Sequence, residues 1–176
     1  VDHLRGELGL ALAGYRKADA YARDFANAHA RMSVRMNELR LLLEIGAFQE
    51  VERAMASPPS DFENPLFEVQ WRSIHAELLL LRRELSSARD IARQALTTAR
   101  ARSLAAEASE CELLVHRIAV AAGGEVPELA LPDRSSPLYG PALYVRAAAY
   151  RAAGRAADAI RAAKEAERIF EASGES

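Results

Sequence analysis

The sequence predicts an all-α protein, an array of eight or nine helices folded back on one another as antiparallel hairpins. Composition is the first of three observations behind this. Of the 176 residues, 50% are apolar and 27% charged, a balance that buries a core and keeps a wet surface. Ala, Leu, Arg and Glu dominate while aromatic and β-branched residues are scarce, and the dominant types lose little rotamer freedom in a helix. The second observation is a set of short helix-breaking points, each flanked by helical sequence. They fall at Ala13-Gly14-Tyr15, Ile45-Gly46-Ala47-Phe48, Arg83-Glu84-Leu85, Gly123-Gly124 and Ala153-Gly154-Arg155. The third is a register of small residues around those points, as close helix crossings require.

Counted at Gly14, Gly46, Arg83, Gly123 and Gly154, the intervals are 32, 37, 40 and 31 residues, near the roughly 34 of a helix–turn–helix repeat. Helices are predicted over 2–13, 15–30, 31–45, 48–56, 65–83, 86–101, 103–122, 138–153 and 156–172. The repeat units are 1–30, 31–64, 65–102, 103–136 and 137–176, within a single domain. The first keeps Gly6, Ala18 and Ala22 in register. The second keeps Leu39, Leu42, Gly46 and Phe48, and Pro58-Pro59 cut short its second helix. In the third, Ala76 and Leu79 precede the turn, and Leu85, Ala88, Ala92 and Ala95 follow it. In the last, Tyr150 precedes Gly154, and Ala159, Ala163 and Ala166 follow it, with Ala88 and Ala159 expected at helix crossings.

Asn64-Pro65 and Ser136-Pro137 read as N-caps with proline at the first helical position, and Ser86 and Ser103 as further N-caps. Two stretches interrupt the pattern. Residues 57–64 form a loop between hairpins. Residues 123–137, with prolines at 127, 132 and 137, cannot hold a second helix. At most Pro127 to Leu131 makes one turn, and Val126, Leu129 and Leu131 are expected to patch the core.

This hairpin register resembles that of tetratricopeptide repeats, clearly in 65–101 and 138–172 and more weakly elsewhere. The resemblance implies a right-handed α-solenoid used for protein recognition, a scaffold rather than an enzyme. It also places an inner groove on the first helix of each hairpin. By that register the groove includes Met36, Arg40, Gln70, Ser73, Glu77, Leu113, Arg117, Tyr144 and Arg151. From these, Arg40, Glu77, Arg117, Tyr144 and Arg151 are expected to bind a protein or peptide partner, with Tyr144 as aromatic anchor. The subtype that clamps a terminal carboxylate uses inner-face Lys and Asn, whereas here Lys17 and Lys164 fall on second helices and Asn27, Asn37 and Asn64 lie off the groove. Divergent Ala- and Arg-rich repeats also look like the helical sensor regions of bacterial multidomain signal-transduction ATPases and transcriptional regulators. Two alternatives are a self-association module and a helical domain appended to an enzyme, such as a kinase or ATPase, outside this segment. The chain begins with Val, which points to an excerpt of a longer protein.

No catalytic, cofactor or metal site is expected. Gly123-Gly124 lacks the following Lys-Ser or Lys-Thr of a phosphate loop. Glu112 and His116 share a helix face, but no second such pair completes a zinc site. His3, His29, His75 and His116 are scattered one per helix. Cys111, the sole cysteine, lies among Leu114, Val115 and Ile118 with Glu107, Glu110 and Glu112 nearby, so it is expected to be a buried structural thiol. Phe67 and Trp71 are expected in the core. Arginine outnumbers lysine 21 to 2, which suits carboxylates and phosphates but also fits a GC-rich genome. A net charge of -2 disfavours nucleic acid, and no apolar run reaches the roughly 20 residues of a membrane span. Val1-Asp2-His3-Leu4-Arg5 lacks signal-peptide character. With no disulfide possible, a cytoplasmic location is expected.

Overall fold

A computed structural model describes residues 7–24, 27–59, 62, 64–123 and 129–173. Among them the chain is all-helical, with eight helices and no strand. These are α1 (Leu8–Asp24), α2 (Ala28–Glu44), α3 (Phe48–Met55), α4 (Pro65–Leu81), α5 (Leu85–Ala101), α6 (Ala105–Ala121), α7 (Tyr139–Ala152) and α8 (Ala156–Ser173). Along the chain α1 packs on α2, α2 on α3, α4 on α5, α5 on α6, and α7 on α8. The alternate helices α2 and α4, and α4 and α6, also touch, and the series continues from α6 to its successor α7. A row of four helices thus runs through the molecule, and the backbones of α1 and α8 each pack on a single helix at its ends.

One turn recurs between helices. Gly46, Gly123 and Gly154 take φ of 75°, 66° and 72°, and Arg83 and Ser103 take 65° and 54° at equivalent positions. After Gly46, the Ala47 N–H donates to the Leu42 carbonyl at 2.8 Å; after Arg83, the Glu84 N–H donates to Leu79 at 2.9 Å. After Ser103 and Gly154, the Leu104 and Arg155 N–H groups donate to Ala99 and Tyr150 at 2.9 and 2.8 Å. These are left-handed C-caps that close carbonyls a helix end leaves open. Ser103 is therefore the residue that ends α5, not the N-cap of α6, and Leu104 and Glu84 occupy the N-cap positions of α6 and α5 without side-chain caps. Ser86 lies inside α5. Asn64 does cap α4, its Oδ1 accepting from Leu66 N–H at 2.9 Å ahead of Pro65. Ser136 accepts from Leu138 N–H at 3.2 Å in the turn before α7, but Leu138 holds the N-cap position, so Ser136 is not the cap and Pro137 lies outside the helix.

The predicted break at Gly14 does not exist. α1 runs through it, and the break falls instead before Ala28, where Asn27 Oδ1 accepts the Ala30 N–H at 2.9 Å. A glycine on an exposed helix face costs only about 1 kcal/mol, whereas an Asn N-cap satisfies a donor the helix would otherwise leave open. Gly6 lies outside the described residues.

The core is apolar throughout; no polar or charged residue is fully buried among the described residues. α2, α3 and α4 enclose Met36, Leu39, Leu42, Val51, Phe67, Trp71 and Ile74, so the two aromatics are core residues as expected. α3 ends after two turns, before Pro58-Pro59, yet still buries Val51 and Ala54. α5 presents Ala88, Ala92, Ala95 and Ala99 at successive helical spacings, all 0% exposed, which lets α4 and α6 approach it closely. In α8 the register is shifted from expectation. Ala162 and Ala166 are buried, while Ala159 is half-buried and Ala163 exposed, because the face packed on α7 centres on Ala166 with Ile169 and Phe170. The 129–138 segment has no helix, and Leu129 and Leu131 do patch the core against Ala142 and Val145. Arg146 fastens this strap by donating to the Leu129 carbonyl. Val126 and Pro127 lie outside the described residues.

Candidate functional site

The row α2–α4–α6 holds an open cleft of about 460 Å³. Each of the three helices contributes residues spaced three or four apart, about one helical turn, to its lining. Its base is Leu43, Ile74 and Leu114, all buried, with Leu113, Leu81 and Leu138 higher on the walls. Leu81 is 46% exposed, an apolar side chain held open to solvent inside the cleft. Arg40, Glu44, Ser73, Glu77, Glu110 and Arg117 supply the polar lining.

Three of the five residues expected in a groove therefore meet here: Arg40 from α2, Glu77 from α4 and Arg117 from α6. They are engaged with one another's helices. Arg40 Nη2 stands 3.4 Å from Glu110 Oε2, joining α2 to α6, and Arg117 Nη1 stands 2.8 Å from Glu77 Oε1, joining α6 to α4. All four side chains are partly exposed, so each pair contributes about 0–1 kcal/mol to stability. Such pairs exchange with an incoming ligand at small energetic cost.

The structure does not bring Tyr144 and Arg151 into this cleft. Tyr144 lines a separate depression between α7 and α8, and Arg151 is exposed in the last turn of α7. Met36 is buried in the core rather than facing the groove, since its face of α2 turns toward α3 and α4. Ser73 and Leu113 do line the cleft. Glu110, Leu81 and Leu138 were missed. Glu110 lies seven residues before Arg117, on the same helical face, so the signal for it was in the spacing. Leu138 arrives through the irregular 129–138 strap and left no periodic signal.

At the floor's edge the Ser73 hydroxyl and the Cys111 thiol lie 3.3 Å apart. Burial pushes the Cys111 thiol up, Ser73 opposes this, and Glu110 and Glu107 add to the rise. The thiol is thus protonated at neutral pH and poorly nucleophilic. Glu112 pairs with Arg100, while His116 Nδ1 lies 2.8 Å from the Glu112 backbone carbonyl, so these two side chains do not converge as metal ligands. Among the described residues no group of three or more His, Cys, Asp or Glu could hold a metal ion, and no helix is long and apolar enough to cross a membrane. No family model matches the chain, and neither does any curated protein or solved structure.

Proposed function

We propose that the chain is a non-catalytic interaction module, a tetratricopeptide-like α-solenoid whose α2–α4–α6 cleft receives a peptide segment of a protein partner. One observation carries this reading: side chains from three helices, separated widely in sequence, converge on one cleft with a leucine-rich base and a rim of exchangeable ion pairs. Leu81, Leu113 and Leu138 offer apolar contacts for anchoring side chains. Arg40 and Arg117 offer planar donors to backbone carbonyls or carboxylates, and Glu77 and Glu110 offer acceptors. An open, mixed surface of this kind suits an extended or helical peptide better than an enclosed small molecule.

Selection of phage-displayed random peptides on the intact chain tests the reading, followed by fluorescence polarisation with the enriched sequences. Leu81→Asp and Arg117→Ala, both at partly or fully exposed positions, should leave the thermal melt nearly unchanged. Each should weaken the selected peptides at least about tenfold, the equivalent of roughly 1.4 kcal/mol. Absence of any enriched sequence, or affinities indifferent to both substitutions, would sink it.

A further inference from the structure

Away from the cleft, a second pocket of about 510 Å³ lies where the end of α1, the start of α2 and the end of α3 meet. It shares no lining residue with the cleft. Trp71 of α4 and Ala54 of α3, both buried, form its floor, with Met32 and Pro59 half-buried beside them. Three arginines stand around it, Arg23 from α1 and Arg31 and Arg35 from α2. Its size falls within the roughly 300–1,000 Å³ of small-molecule sites.

The polar lining is lopsided in charge. Asp19 is the one carboxylate among the described lining residues, and Arg23 already pairs with it. Arg35 Nη1 lies 2.7 Å from Glu38 Oε2, and Glu38 is shared with Arg16 at 3.6 Å. Arg31 makes no side-chain hydrogen bond or ion pair among the described residues. Trp71, only 7% exposed, also has no acceptor for its indole N–H among them, and that nitrogen is not sealed from solvent as His116 Nε2 and Arg146 Nε are. α2 begins at Ala28 on the pocket wall, and its first turn carries no acidic residue to offset the positive end of the helix dipole. Unused donors, surplus positive charge and an apolar floor answer to one chemistry, an oxyanion carried on an apolar body. The planar fork of arginine matches carboxylate or phosphate oxygens two at a time. Guanidinium planes and an indole also pack well on an aromatic ring, which favours an aryl body over an alkyl one.

We infer that this pocket binds a small aryl oxyanion, a carboxylate or a phosphate monoester. Arg31 grips its oxygens, Arg23 and Arg35 add positive charge, and the ring lies against Met32, Pro59 and Trp71. Arg31 is the leading donor because its charge is uncommitted, whereas Arg23 and Arg35 must first loosen from Asp19 and Glu38.

Trp71 is the sole tryptophan of the chain, so its fluorescence reads the pocket directly. Phenyl phosphate, benzoate and inorganic phosphate are titrated into the whole chain at constant ionic strength, and isothermal calorimetry repeats each titration. The aryl anions should give a saturable change with a midpoint of about 1 mM or below, and the one that saturates first identifies the oxyanion. Inorganic phosphate, without a ring to bury, should need at least about tenfold more. Arg31→Ala should weaken the better ligand at least about tenfold and leave the thermal melt nearly unchanged. Arg93→Ala, at an exposed position of α5 outside the pocket, should change neither. The inference is overturned if neither fluorescence nor heat saturates with an aryl anion, or if inorganic phosphate binds equally well. An Arg93→Ala loss as large as that of Arg31→Ala overturns it too.

Discussion

Adding one methyl group to two glycines of this chain should change its stability in opposite directions. At both Gly14 and Gly46 an added Cβ would meet nothing within 4 Å, so packing does not distinguish them. Backbone geometry does. Gly14 sits on the exposed face of α1 without a positive φ, and Gly14→Ala should stabilise by about 0.5–1 kcal/mol through helix propensity. Gly46 stands at φ 75°, where an L side chain crowds its own carbonyl, and Gly46→Ala should cost about 1 kcal/mol. The turns at Arg83 and Ser103 supply the reverse experiment, since both hold non-glycine residues at φ 65° and 54° with exposed side chains. The left-handed strain of roughly 1–2 kcal/mol, less glycine's extra freedom in the unfolded chain of roughly 0.5–1 kcal/mol, leaves a gain of about 0.5–1 kcal/mol for Ser103→Gly. Differential scanning fluorimetry at low protein concentration is sufficient, because each kcal/mol moves the Tm of a chain this long by about 2–4 °C. Gly14→Ala and Gly46→Ala shifting the Tm the same way would refute the turn assignment, as would a Ser103→Gly variant that melts earlier.

Two further expectations follow from the core and from titration. Ala92, 0% exposed between α4 and α6, has no room for three more carbons. Ala92→Leu should therefore cost about 1–3 kcal/mol or more, while Ala106→Leu on the exposed face of α6 should stay within about 0.5 kcal/mol; equal melts for the two would refute the packing of α5. Burial lowers the His75 pKa below 6.5, with Glu84 opposing. The unfolded chain thus binds this proton more tightly, so stability is unaffected above about pH 6.5 and falls as the pH drops below it toward the folded value. Between pH 7.5 and 5.5 the wild type should lose more Tm than His75→Gln, and identical losses would refute the assignment.

Helices and most turns were legible because they rest on local rules. Glycine at 46, 123 and 154 announces a left-handed C-cap, and Asn64-Pro65 announces a helix start. Gly14 misled because glycine has two meanings, a cap where φ is positive and a tolerated gap on an exposed helix face. Sequence spacing alone does not separate them. Asn27 was the better marker, since its side chain closes an open N–H of α2. Ser103 misled in the mirror sense. Serine suits an N-cap, but here the backbone already made the Leu104 to Ala99 hydrogen bond, and the three-residue connection left no place for a separate cap.

The candidate site was legible where helix spacing is repeated and opaque where it is broken. Arg40, Glu77 and Arg117 lie on α2, α4 and α6, which touch in series, so a register carried from one hairpin to the next brings them to one cleft. Between α6 and α7 that register lapses, because residues 129–138, with Pro132 and Pro137, form the strap held by Leu129 and Arg146 and not a helix. With no helix between them among the described residues, α7 meets α6 directly, and Leu138 just before it lines the end of the cleft where the register places Tyr144. Tyr144 turns instead toward α8 and joins the exposed end of the row. The interruption between α6 and α7 thus divides what periodicity alone would read as a single surface into two. The cleft has charges already paired across its helices. The face at α8 carries Glu167 and Glu171 without ion-pair partners among the described residues.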